Sequence, residues 1–172
     1  MNRTNRDLAE FTRDTMIGAA GGLAGTMALW LVDAAVQKWL PSAQAPMRLE
    51  PGPYIVHQGQ RLLPAKTWGS IPDQAEKAAA VSASFCYGSI FGALYGALRP
   101  RGGSAWSDGA LLGLFCWAAG YLGWLPAAGL MKPVWKQKPG QIAGPIVEHA
   151  LYGLAAVGAY DMIKEHVSDQ LF

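Results

Sequence analysis

Asp33, Glu148 and His149 are ionisable side chains that stand inside otherwise apolar stretches at a common depth. An ionised group at such a depth is costly unless it is protonated or paired, so it points to proton or ion handling, or to a polar socket for a ligand. Asp33 comes late in the first apolar stretch, and Glu148 with His149 early in the fourth. On helical rise both positions fall roughly 10 Å below the same surface, whichever way the chain is oriented. The spacing predicts Asp33 opposite His149, with Glu148 paired to a lysine of the preceding connection or turned to the interface. Glu148 and His149 are adjacent, about 100° apart on a helix, and do not both face one small site squarely. Tyr152 lies one helical turn further on, within hydrogen-bonding reach of either. The competing role for this cluster is an interhelical pair that locks a bundle, worth under ~1 kcal/mol on the membrane average.

Other chemistry fails on inventory. His149 is the lone histidine inside an apolar stretch, so two histidines of this chain cannot hold a haem there. There is no HExxH pair, no Gly-rich phosphate loop after a strand, and no Ser-His-Asp or Cys-His spacing. Cys86 and Cys116 fall at depths that differ by roughly 7 Å and read as small core residues. The expectation is a non-enzyme with no catalytic, cofactor or metal-ligating residue. A net charge of +2 without a basic run excludes a nucleic-acid surface.

The elements that must position the cluster are membrane spans. Hydrophobic residues make up 51% of the 172 residues and charged ones 15%, where a soluble domain carries about 25% charged. Residues 15–32, 78–98 and 109–131 carry no charge, and each is long enough to cross a hydrocarbon core about 30 Å thick. The fourth candidate contains Glu148, His149 and Asp161, which a helix tolerates when they face a bundle interior. A soluble helical protein would need polar faces that the second and third stretches lack. The first stretch is longer than the core of a secretory signal and reads as an anchor. The predicted fold is an all-α integral membrane protein, a four-transmembrane-helix bundle forming one domain over 1–172. Its spans are about 15–40, 78–98, 109–131 and 142–163.

The connection 41–77 holds Pro41, Pro46, Pro51, Pro53, Pro64 and Pro72. Proline lacks a donor and fixes its φ, so an extended surface segment is expected. Tyr54, Ile55, Val56, Leu62, Leu63 and Trp68 would then rest on the membrane surface or a partner. The run Ile71 to Glu76, with proline and acids, predicts a helix start. The connection 132–145, with Trp135, has the same extended character. Trp39, Trp106 and Trp124 read as interface anchors.

Glycines recur four apart: Gly18 and Gly22, Gly21 and Gly25, then Gly88, Gly92 and Gly96, then Gly109 and Gly113. In lipid, helices associate by close backbone approach through small residues, so these are packing faces within one chain or between copies. Phe85, Ile90, Phe91 and Leu94 are expected to point away, towards lipid or a partner. Trp39-Leu40-Pro41 recurs as Trp124-Leu125-Pro126, and Ala93-Leu94-Tyr95-Gly96 as Ala150-Leu151-Tyr152-Gly153. The same order in both halves fits either a duplicated two-helix hairpin or chance in an Ala-, Leu- and Gly-rich chain.

Four spans put both termini on one side. Arg13 and the Arg99-Pro100-Arg101 turn favour termini inside, while Lys132, Lys136 and Lys138 pull the other way. The choice is cytoplasmic termini.

The run from Gly109 to Gly123, Pro126, Gly129-Leu130 with Pro133, and Glu148-His149 opening the last span resembles the YagU-like bacterial inner-membrane proteins. In that family the last span carries a glutamate and, a few residues later, Gly-His; here Glu148 and His149 are adjacent and Gly153 follows. The resemblance implies a small protein of the bacterial inner membrane, of unsettled function, associated with acid tolerance, and it brings no catalytic residue.

Three functions fit these residues. The leading one is an accessory or scaffolding subunit of a larger membrane complex, in contact with lipid and with a membrane-protein partner or further copies of itself. The second is a proton or ion channel or transporter using Asp33, Glu148 and His149. The third is a binder of lipid, pigment or quinone, with Trp30, Trp117 and the glycine grooves as the site.

Overall fold

A computed structural model describes residues 3–62, 72–99 and 103–169. Leu63, Pro64, Trp68, Ile71, Pro100 and Arg101 lie outside the described residues.

Backbone amides have no water to bond in lipid, so long uncharged stretches close their own hydrogen bonds as helices. Among the described residues four helices are long and apolar enough to cross a membrane, and the fold is an all-α four-helix bundle. Helix α1 covers Arg3–Trp39 and a short α2 covers Pro51–Gln60. Helix α3 runs over Asp73–Leu98 and α4 over Ala105–Trp117. A π-helical segment, Ala118–Trp124, and one turn, α5 (Leu125–Ala127), extend α4. Helix α6 covers Pro139–Asp169. Much of the outer surface is apolar: Leu31, Leu111, Phe115 and Val147 are exposed, as a lipid-facing wall requires.

The glycines dictate the order of the row. On α1, Gly18 and Gly22 face α3, while Gly21 and Gly25 face α6. One helix thus offers two adjacent glycine faces and takes the middle of the bundle. Gly109 and Gly113 of α4 close on His149, Ala150 and Leu154 of α6. The resulting row is α3, α1, α6, α4. The repeated Tyr-Gly strings sit alike in their hairpins: Gly96 meets the backbone of Asp14 and Gly18, and Gly153 that of Gly109 and Gly113. The Trp-Leu-Pro strings do not, since Trp39 ends α1 while Trp124 ends the π segment.

Several local expectations need correction. The connection 41–77 is not extended throughout, because Pro51 and Pro53 fall in the first turn of α2, where their missing amides cost nothing. Gly52 seats α2 against Ala80 of α3. Pro145 belongs to α6, not to a connection, and is fully buried. The third span ends at Ala127, short of 131, where Pro126 and the positive φ of Gly129 turn the chain away. Phe91 is buried against Tyr87 and Phe115 instead of facing lipid, whereas Ile90 and Leu94 do face outward. The start at Asp73, with Asp73 and Glu76 in the first turn, is as expected.

Candidate functional site

The bundle is open at one end and locked at the other. The open end is the one bearing the connections. There a cleft of about 1280 Å³ runs down between α1, α3, the π segment and α6. Its entrance is narrowed by the two connections, which are joined where Met47 and Met131 form an antiparallel bridge and the Arg48 amide donates to the Leu130 carbonyl at 2.8 Å. His57 of α2 and Glu76 of α3 meet at 2.6 Å beside it.

Asp33, Glu148, His149 and Tyr152 all line this cleft. The matched depths of the first and last spans therefore do converge on one place. The pairing does not follow the prediction, however. Asp33 accepts from Gln37 Nε2 at 2.7 Å, one turn along its own helix. His149 Nδ1 lies 2.8 Å from the Pro145 carbonyl, also one turn away. Tyr152 donates across the bundle to the Gly88 carbonyl at 2.7 Å. Glu148 is 7% exposed, and its Oε1 has no hydrogen-bonding partner. Neither an Asp33–His149 pair nor a Glu148–lysine pair occurs among the described residues. Helix rotation decides this: Asp33 and His149 are each satisfied locally, and Glu148 is the group turned inward.

Aromatic walls complete the cleft: Trp30 was expected at a binding site, whereas Tyr87, Tyr121 and Trp124 were not. Trp124 is not an interface anchor; its Nε1 donates to Tyr87 Oη at 3.3 Å. Tyr121 stacks on Trp117 and meets His149 edge-on. Trp30 contacts Phe85 edge-on. Tyr121 and Trp124 belong to the π segment, where Gly123 leaves helical geometry at φ −102° and ψ −108°. Single π turns inside α-helices recur at functional sites, because the extra residue rotates side chains off the regular helical face. Gly120, Gly123 and Pro126 inside an uncharged span were the available signal. Trp117 has no bonding partner for its buried Nε1, and Cys86 and Cys116 are free thiols.

No family model, curated protein or solved structure matches this chain. The likeness to the YagU-like proteins therefore rests on the residues quoted for it.

Below Tyr152 the interior closes. Phe91, Leu112, Ala156 and Val157 fill it, and Tyr160 beneath them is completely buried. The far end is then clamped by charge. Lys164 Nζ lies 2.6 Å from Asp14 and 2.9 Å from Tyr160 Oη. Arg99 pairs with Asp161 while its guanidinium lies 5.0 Å from the Tyr160 ring centre. Tyr95 Oη donates to Asp108 at 3.2 Å. Every spanning helix contributes, so charges that looked like topology signals hold the helix ends together. The pairs are partly exposed, which places each between a surface ion pair and a buried one. A double-mutant cycle of Arg99→Gln and Asp161→Asn, read by thermal unfolding in detergent, is expected to give a coupling of about 1 kcal/mol.

Proposed function

We propose that this chain is a non-enzymatic multi-pass membrane protein that binds a small organic ligand in the cleft at its connection-bearing end. The observation that carries this reading is Glu148, a buried side chain lining the cleft with a carboxylate oxygen that nothing in the described residues satisfies. Buried polar atoms are almost always bonded, and exceptions cluster where a ligand or ion supplies the partner. The rigid aromatic walls and the π segment add to it, since ligand pockets are largely apolar with a few placed polar groups. The packed interior between Tyr152 and Tyr160 favours a blind cleft over an open pore.

A second reading, an accessory subunit of a larger membrane complex, draws on exposed apolar side chains of the connections, Leu62 and Trp135. The glycine faces do not add to it: Gly18, Gly22, Gly88, Gly92, Gly96, Gly109 and Gly113 all close on helices of the same chain. Following the YagU-like resemblance, we place the protein in a bacterial inner membrane. Arg13 and Arg99 at the terminal end support cytoplasmic termini.

Native mass spectrometry of the protein gently extracted from its own membrane tests the reading. A retained small molecule is expected. Ser84→Trp, which fills the cleft from α3, should expel it. A protein that carries none, or whose Ser84→Trp variant holds it equally well, overturns ligand binding in the cleft. A fixed, larger mass with a stoichiometric protein partner would favour the accessory subunit instead.

A further inference from the structure

The charges of the cleft are sorted by depth. At the mouth, Arg48 and Lys77 stand among Glu50, Asp73 and Glu76, the last of them held by His57. Deeper in, the side chains that ordinarily carry charge are Asp33 and Glu148, both acidic. His149 faces the same space, with its Nδ1 at the Pro145 carbonyl. The Glu148 Oε1 atom is an acceptor that lacks a donor. What is missing there is positive charge together with a hydrogen to donate.

The walls around that position suit an organic cation. Trp30, Tyr87, Tyr121 and Trp124 line the cleft. The Tyr87–Trp124 hydrogen bond and the Tyr121–Trp117 stack hold three of these rings in place. Aromatic faces attract ammonium groups, most strongly where water is excluded. Burial disfavours an ionised carboxylate, and an ammonium group relieves that cost by donating to Glu148 and balancing its charge, which an anion cannot do.

We propose that the cleft takes an organic ammonium ion, a protonated amine hydrogen-bonded to Glu148 with its carbon body against Trp30, Tyr87, Tyr121 and Trp124. This assignment rests on the ligand-binding reading above and names the class of ligand. The amine belongs either to a soluble molecule or to an aminolipid headgroup, which the cleft's position at the connection-bearing end also admits.

The probes are benzylammonium and the neutral benzyl alcohol, titrated calorimetrically into the full chain in phosphatidylglycerol nanodiscs. Benzylammonium should bind at least about ten-fold more tightly. Glu148→Gln, which keeps the shape and removes the charge, should abolish that preference, and Asp33→Asn should reduce it. Thermal unfolding of both variants confirms that they are folded. In nanodiscs containing phosphatidylethanolamine, selective retention of that lipid by the wild type and its loss in Glu148→Gln would identify a lipid source. Benzylammonium binding without lipid retention would identify a soluble amine. Equal binding of both probes, unaffected by Glu148→Gln but lost in Ser84→Trp, overturns the ammonium assignment and leaves the cleft a binding site. If benzylammonium, benzyl alcohol and phosphatidylethanolamine all fail to bind, both conclusions fall.

Discussion

Gly92→Val is expected to break the α1–α3 contact and to cost about 3 kcal/mol, read as a collapse of thermal stability in detergent or as loss of a monodisperse species. The reason is backbone against backbone. A Cβ on Gly92 would lie 2.6 Å from the Gly22 amide nitrogen and 2.7 Å from its Cα, well inside van der Waals contact. No flexible side chain is there to swing away, so whole helices must separate. Because α1 also holds α6 through Gly21 and Gly25, movement of α1 disturbs both of its neighbours. Gly158 provides the comparison, since a Cβ there meets nothing within 4 Å. Gly158→Ala should therefore be neutral, or stabilise by up to ~1 kcal/mol through helix propensity. Equal behaviour of the two variants would mean that the glycine faces do not set the packing.

Tyr152→Ala should be nearly as damaging, at about 3–5 kcal/mol, the usual cost of deleting a buried aromatic ring. Tyr152 is 1% exposed and packs in the central cluster with Phe91, Cys116 and Val157. Its ring lies over Gly25, and its hydroxyl reaches the Gly88 carbonyl. One residue of α6 thus braces α1 and α3 at the floor of the cleft. Tyr152→Phe separates ring from hydroxyl. It should cost only ~1 kcal/mol, because the Gly88 carbonyl can still accept its helical hydrogen bond. A Phe variant as unstable as the Ala variant would show that the hydroxyl, and not the ring, does the bracing.

Much of the architecture was legible locally. An uncharged run of sufficient length has one option in lipid, so the four spans followed from composition and length. The four-residue glycine repeats marked close helix faces for the same reason. Even the convergence of Asp33 with Glu148 and His149 followed from the rise of a helix, because depth along an axis depends on residue count alone.

Depth does not give azimuth. Which way each side chain turns depends on how its helix is rotated against neighbours, and that is a property of packing. Asp33 and His149 reach the same level and still do not pair, because Gln37 and the Pro145 carbonyl satisfy them first. Trp124 resembles an anchor by position along its span, but the π segment rotates it and Tyr121 into the cleft. The prolines of the first connection suggested an extended chain; α2 formed because two of them occupy a first turn and Gly52 docks on Ala80. The terminal clamp joins Asp14 to Lys164 and Arg99 to Asp161, partners far apart in the chain that the order of helices in the row brings together. Spans, their depths and their glycine faces depend on local composition and helical periodicity, and so could be read from the chain before any fold was known. Which helices are neighbours, which way Glu148 turns and where the bundle stays open depend on steric fit between surfaces distant in sequence, and emerge only from the packed fold.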